Sequence, residues 1–311
     1  MYNKKIVFIS GSSSGIGYDL AKKYKLLGYN VIINGTNKSK LKKASISLSC
    51  DYFLGDLTNK KKINLLENTL KKKNKHLDIL ICNLGNSEFK KNNKDYENAF
   101  NYNFYSTVNL VESSKKILKK RKSKIICISS ICGVESIEGA PIGYSIAKSA
   151  LNFYIKLISR ELAEIGVSIN GIVPGNIYFK GSTWDLKMKK NPKKTKKYIK
   201  NNVPINKFGS TENIFKVCKM LTENNDNFIT GSLFKLDGGQ TKSVWFIFIT
   251  GNNKLMLLFE KLKSYKDYLK KYPLHKLIDV DLKSYGPIHK KIKRSPYYSV
   301  NPNLCEPYSA E

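Results

Sequence analysis

Apolar residues along the chain gather in short runs, separated by longer stretches in which they recur every three or four positions. The runs are Ile6–Ser10, Val31–Asn34, Asp51–Leu54, Asp78–Cys82, Lys124–Ser129, Ser168–Val173 and Ser232–Lys235. Their length and flanks predict strands buried inside a sheet. The stretches between them carry helical patterns. Leu20, Tyr24 and Leu27 share one face of one such stretch, and Leu151, Tyr154, Ile155 and Ile158 share a face of another. Strand–helix alternation predicts an α/β fold, a Rossmann-like, doubly wound parallel sheet of about seven strands with helices on both faces. Right-handed crossovers then bring the carboxyl ends of the strands to one edge, where such sheets bind ligands.

The pattern changes after Ser243. Val244–Ile249 is strongly apolar, and Leu255–Lys271 reads as an amphipathic helix with Leu258, Leu262, Tyr265 and Leu269 on one face. Five of the nine prolines fall beyond it. The 311 residues therefore divide into a main unit, 1–243, and a C-terminal extension, 244–311, expected to be partly helical, partly irregular or disordered. Three readings of the extension stay open: a cover over an interface or over the site, a surface for a separate partner, or the start of another protein joined by read-through, with Met256 as its original first residue. No run approaches the ~18 consecutive apolar residues of a spanning helix. Ile6–Ile9 is too short for a signal-peptide core. A cytoplasmic protein with no membrane partner is expected.

The net charge of +31 invites a nucleic-acid reading. Only three of the 55 basic side chains are arginine, however: Arg121, Arg160 and Arg294. Base reading favours the bidentate guanidinium fork. Lysine excess beside abundant asparagine fits a coding bias and a solvated surface instead, so no nucleic-acid partner is expected. The six cysteines, Cys50, Cys82, Cys127, Cys132, Cys218 and Cys305, form no CxxC pair and no zinc spacing. Several lie in apolar runs, where a thiol acts as a small hydrophobe. Neither a disulfide nor a metal is expected.

Two constellations carry chemistry. The first apolar run leads into Ser10-Gly11-Ser12-Ser13-Ser14-Gly15-Ile16-Gly17, and a helix follows. Gly11 lets the chain turn off the strand, Gly15 lets backbone approach a pyrophosphate, and Gly17 lets the helix pack close. Ser13, Ser14 and Ile16 lie in the same turn, where a helix start offers N–H groups and a positive dipole to phosphate. The second is Tyr144-Ser145-Ile146-Ala147-Lys148. Four residues apart on a helix, the phenol and the ammonium share a face. The ammonium is expected to lower the phenol's pKa toward useful acid/base range. Lys124–Ser130 reads as a strand ending in serine, at the edge where ligands bind.

The G-x-x-x-G-x-G spacing, the strand-end serines and YxxxK, in this order, resemble the short-chain dehydrogenase/reductase family, 3-oxoacyl reductases among them. The resemblance runs through residue 243. It implies an oxidoreductase moving hydride between NADP(H) and a carbonyl or alcohol carbon. The implied catalytic residues are Ser130, Tyr144, Lys148 and Asn103; Ser129 and Asn101 remain competitors. Asp56 and Leu57 match the family's adenine contact, with Thr58 a candidate helix cap. Asn83 and Gly85 match two positions of its NNAG element, where Cys82 and Leu84 depart from it. Pro174, Gly175 and Ile177 match the element after the sixth strand, but Phe179 stands where a threonine often grips the carboxamide. Tyr144 and Lys148 would also touch the cofactor. Phe179–Val203 corresponds to the family's mobile substrate loop, in which Trp184, Met188 and Tyr198 either face a ligand or pack. Thr36, Asn37 and Lys38 follow the second strand, and no acidic residue there repels a 2′-phosphate, which favours NADP(H) over NAD(H). A homodimer or homotetramer is implied. The non-enzymatic alternative is a catalytically silent NADP-binding regulator on the same fold.

Overall fold

A computed structural model of the chain describes residues 4–72, 76–87, 93–118, 122–224 and 226–243. The expectations for Val244–Ile249, Leu255–Lys271 and Cys305 lie outside the described residues. Seven strands appear where the apolar runs predicted them: β1 (Ile6–Ile9), β2 (Asn30–Gly35), β3 (Asp51–Leu54), β4 (Ile79–Cys82), β5 (Lys124–Ile128), β6 (Ser168–Pro174) and β7 (Leu233–Leu236). They form one sheet in the order β3-β2-β1-β4-β5-β6-β7, every neighbouring pair parallel. The connections are helical: α1 (Gly15–Leu26), α2 (Lys38–Leu48), α3 (Lys60–Lys72), α4 (Asn93–Phe100), α5 (Ser106–Ser114), α6 (Ile142–Glu164), α7 (Thr183–Lys190), α8 (Pro192–Asn202) and α9 (Thr211–Glu223).

Successive residues of a strand point to opposite faces, so each central strand feeds two cores. Phe8, Leu80, Ile125 and Ile169 pack with Ile63 and Leu66 of α3, Leu110 of α5, and Leu151 and Ile155 of α6. Val7, Ile9, Ile33, Ile79 and Ile126 pack with Leu20 and Tyr24 of α1, Leu41 of α2, and Ile214 and Phe215 of α9. Tyr24 is fully buried, edge-on to Phe215 at 5.6 Å, with its hydroxyl hydrogen-bonded to Thr222 at 3.0 Å. Burying such a side chain contributes roughly 1.5–3 kcal/mol once its hydroxyl has a partner. Leu27 departs from the expected face: it follows the last residue of α1 and is 40% exposed, because the chain turns away at Gly28 (φ +85°).

The strand order reverses between β1 and β4. Connections leave these neighbours in opposite directions and open a crevice at their carboxyl ends, the usual ligand position in such a sheet.

Candidate active site

The glycine loop leaves β1 at the crevice. Gly11 (φ +57°) and Gly15 (φ +62°) take left-handed conformations that side chains disfavour. Gly17 is required for another reason: a Cβ there would lie 2.6 Å from the Gly11 carbonyl oxygen and 2.6 Å from Asn83 Nδ2. Polar side chains outside the glycine pattern hold the loop. Ser12 Oγ donates to the Ile9 carbonyl at 2.6 Å and accepts from Asn34 N at 2.8 Å. Ser10 Oγ accepts from the N–H groups of Asn83 (2.8 Å) and Leu84 (3.0 Å), fastening the end of β4 to the loop. Asn34 Oδ1 accepts from Gly11 N, while its Nδ2 donates to Phe53 and Gly55 oxygens, tying together the exits of β1, β2 and β3. Ser14 begins α1, is exposed, and makes no side-chain bond to its own helix. Ser13 borders Gly35. A helix start of this kind, with no acidic residue in its first turn, suits a phosphate group.

The other sequence-derived positions sit along the same edge. Thr36, Asn37 and Lys38 are exposed at the end of β2, where Asn37 Oδ1 caps α2 through Lys40 N at 2.9 Å. Asp56 follows β3 and turns one carboxylate oxygen onto Thr58 N (2.9 Å) and Oγ1 (2.8 Å). Thr58 does not cap α3; Asn59 does, through Lys61 N at 2.9 Å. The Leu57 side chain is buried in the core, so only its backbone can face a ligand. Asn83 and Gly85 follow β4, and Pro174, Gly175 and Ile177 follow β6. Tyr178 N–H and Asn176 C=O pair with Gly209, so the peptide groups of Ile177 face away from Gly209. Phe179 packs its ring over Gly15, where a Cβ would meet it at 3.1 Å.

β5 and α6 bring together the serine, phenol and ammonium that the sequence singles out. Ser130 Oγ accepts from Cys132 N at 3.2 Å and exerts a downward pull on the pKa of the Tyr144 phenol. Ser129 turns the other way, donating to Asn152 Oδ1 at 2.6 Å. Asn152 Nδ2 also donates to the Gly133 carbonyl. Gly133 lies against the Lys148 backbone, where a Cβ would come within 2.5 Å. The loop between Ser130 and Tyr144 is thus pinned to α6 at its start. Lys148 is buried, donates to the Ile128 carbonyl at 2.9 Å, and holds its ammonium 5.8 Å from the Tyr144 ring centre. Gly85 borders both Lys148 Nζ and Asn103 Oδ1.

Asn103 is buried in a π-helical turn, Asn101–Tyr105, a form frequent at functional sites. Its side chain is bonded throughout: Oδ1 accepts from Asn86 N (3.1 Å), and Nδ2 donates to the Asn86 (2.8 Å) and Ala99 (2.9 Å) oxygens. Asn101 is exposed.

The electrostatics correct one expectation. Burial pushes the Tyr144 phenol up to about 12, against a downward pull from Ser130. Burial disfavours the phenolate, and Ser130 does not offset it. Burial also lowers Lys148 to about 8, opposed by the Cys127, Cys132 and Cys82 thiols. At neutral pH the site therefore holds a protonated phenol.

The helical segment over the crevice is tied internally. Asp185 accepts from Tyr178 Oη, Gly181 N and Lys189 Nζ, each at 2.8 Å. Trp184 stacks against Tyr198 (5.1 Å) and Phe208 (5.5 Å), so it packs rather than facing outward. Ser10, Ser12, Asn34, Asn86, Asn152 and Gln240 were missed in the sequence. Asn34 left one sign: a polar residue ending an apolar run.

The family model described as enoyl-(acyl carrier protein) reductase matches residues 11–241. A 3-oxoacyl-[acyl-carrier-protein] reductase of Rickettsia prowazekii is 32% identical over 243 residues, covering 76% of this chain and 96% of its own. Among solved structures, ElxO with NADP bound is 26% identical (TM-score 0.70; 76% of this chain and 99% of that one). L-Sorbose reductase from Gluconobacter frateurii, complexed with NADPH and L-sorbose, is 22% identical (TM-score 0.70; 78% and 98%) and shares the fold.

Proposed function

The chain belongs to the short-chain dehydrogenase/reductase family, NAD(P)-dependent oxidoreductases of CH–OH and C=O groups, and we propose that it reduces a carbonyl with NADPH, Tyr144 giving the proton. One observation carries this reading: the Ser130 hydroxyl, the Tyr144 phenol and the Lys148 ammonium converge beside the glycine loop, with the phenol protonated at neutral pH. A proton donor is what a carbonyl oxygen needs as it gains charge.

The residues present fit a dinucleotide. Gly11, Gly15 and Gly17 keep the cradle clear of Cβ atoms, and Ser13, Ser14 and Ile16 line the start of α1. By the family resemblance, Asn83 and Gly85 would meet the middle of the dinucleotide, Asp56 and the Leu57 backbone its adenine, and the Ile177 peptide, beside Pro174 and Gly175, its carboxamide. Thr36, Asn37 and Lys38 present donors and positive charge at the end of β2 with no carboxylate among them, which supports NADP(H) over NAD(H). The bound NADP-type cofactors of ElxO and L-sorbose reductase agree with that choice.

When bound, NADPH supplies the hydride. Ser130 donates a hydrogen bond to the substrate oxygen. Tyr144 delivers its proton to that oxygen. Lys148 would hold the cofactor's ribose and would offset the charge left on the phenolate. The Asn103 side chain fixes the Asn86 loop beside Lys148, and we assign Asn103 the support of the water chain that returns the proton. Residues 1–243 carry this chemistry, and 244–311 are an addition to it. Among the described residues no helix is long and apolar enough to cross a membrane, and five cysteines are free thiols; a reducing, cytoplasmic setting suits both.

The test is NADPH consumption across ketones, aldehydes and acyl thioesters, with NADH alongside. NADPH should be oxidised with at least one class and preferred over NADH. A clear preference for NADH would overturn the cofactor assignment, and binding of NADPH without turnover on any carbonyl would favour a silent regulator.

A further inference from the structure

Phe179 stands where a hydrogen-bonding threonine is common in the family, and a phenyl ring cannot take over that role. The ring lies over Gly15 instead. A Cβ built on Gly15 would sit 3.1 Å from Phe179 Cε2 and 3.3 Å from Cζ, so the ring rests against the first residue of α1. That residue opens the helix start whose N–H groups and dipole suit a pyrophosphate. Phe179 is half-buried, packed on one side against the core that holds Val7, Ile9 and Ile33.

Hydrogen bonds on both sides fix the backbone that carries the ring. Before it, Tyr178 N donates to the Gly209 carbonyl and Gly209 N to the Asn176 carbonyl, both at 2.9 Å. After it, Phe179 N donates to Ser182 Oγ at 3.3 Å, and the Phe179 carbonyl accepts from Ser182 N at 3.0 Å. Ser182 Oγ also accepts from Asp185 N at 3.1 Å. The Asp185 carboxylate, itself buried, accepts from Gly181 N and the Tyr178 hydroxyl. The Phe179 backbone is therefore held between the exit of β6 and the start of α7. The ring can leave Gly15 by turning about its own side-chain bonds, and its solvent-facing side gives it room to do so.

The rest of the cradle is built to admit an anion. Gly11 and Gly17 keep it clear of Cβ atoms, Ser14 is exposed, and the first turn of α1 carries no acidic residue. A phenyl ring has no acceptor to offer the N–H groups at a helix start. It fills space there without replacing what a phosphate would give.

We propose that Phe179 is a side-chain latch on the cofactor cradle: its ring takes up part of the diphosphate's place in the free protein and turns off Gly15 when a dinucleotide binds. The proposal rests on the dinucleotide-binding part of the reductase reading. Only the fraction of molecules with the ring turned off is competent, so the apparent dissociation constant is the intrinsic one divided by that fraction. The latch weakens NADPH and NADH by the same factor, because both carry the same diphosphate. It leaves untouched a ligand that reaches only the adenosine end.

Cofactor binding, measured without turnover, tests it. The full chain and its Phe179→Ala variant are titrated with NADPH and NADH by fluorescence, and with adenosine 2′-monophosphate by calorimetry. Phe179→Ala should tighten both dinucleotides at least threefold, by factors that agree within twofold, and leave adenosine 2′-monophosphate within twofold. Stopped-flow mixing should place the gain in the association rate. Phe179→Leu, which keeps an apolar contact with the core, should act in the same direction and serves if Phe179→Ala does not fold. Less than threefold tightening, or weaker binding, would overturn the proposal; the ring would then be a bystander or a wall of the bound site. Equal tightening of adenosine 2′-monophosphate would overturn it as well, since the effect would not lie at the diphosphate. Turnover separates the two readings. Dinucleotide binding that responds to Phe179, with no NADPH oxidation on any carbonyl, sinks the reductase reading and keeps the latch. Carbonyl reduction by a protein whose dinucleotide affinity ignores Phe179 does the reverse.

Discussion

Tyr144 and Lys148 are shifted in opposite directions by one cause, burial, and the shifts set the direction in which the site works most readily. The phenol, raised to about 12, is in its acid form through the neutral range, as reduction requires. Lys148, lowered to about 8, keeps its charge below that pH and loses it above. The value of kcat/KM for carbonyl reduction should therefore be level from pH 6 to about 7.5 and fall as pH passes about 8. A profile that climbs between pH 8 and 9 would contradict this. A buried ammonium held by one carbonyl also costs stability, as groups at reacting centres commonly do. Lys148→Met should lose most turnover and weaken NADPH binding while its Tm stays equal or rises. A large fall in Tm would mean that the ion is a structural anchor. The sequence placed both residues on one helical face. It could not give the sign of the phenol shift, because desolvation depends on what β4, β5 and the Ser130–Tyr144 loop lay over them.

At the scale of elements, the glycine loop, β4 and the start of α1 form one interlocked unit. Gly17 is the point where they touch. Gly17→Ala would push a methyl against the Gly11 carbonyl and Asn83 Nδ2, both at 2.6 Å from its ideal position. Overpacking of this kind costs about 1–3 kcal/mol. The variant should show a lowered Tm and at least tenfold weaker NADPH binding by fluorescence titration; unchanged affinity would show that the cradle does not need this contact. The strands and the glycine turn were legible in the sequence, because apolar runs and glycine spacing are local signals. The clamps that hold the turn were not. Ser12 and Asn34 meet across two strands, and Ser10 reaches β4; no spacing rule joins such distant positions. The caps were read poorly for a related reason. Thr58 and Asn59 are both good cap residues, and only the turn made by Asp56 decides between them.

For the whole molecule, the reversal of strand order at β1 and β4 gathers residues from six strand ends into one crevice. Motif order along the chain made that architecture readable before any coordinate. Gln240, by contrast, joins Asn176 to Tyr198 only once β6, α8 and the final turn converge. One surface still calls for a partner. Ile146, Phe153 and Leu157 form an exposed apolar stripe on α6, 48%, 67% and 56% exposed. We expect a second copy of the chain to cover it, as family membership suggests. Phe153→Glu should shift the sedimentation velocity profile toward monomer, whereas an unchanged profile would place the contact elsewhere. The central claim is that Tyr144 gives a proton to a carbonyl oxygen as hydride arrives from NADPH. It is tested most directly by the rate of NADPH oxidation with a ketone for wild type and Tyr144→Phe, at matched cofactor occupancy. The account predicts a loss of roughly 10²–10⁴-fold with NADPH affinity within threefold of wild type; equal turnover in the two proteins would contradict it.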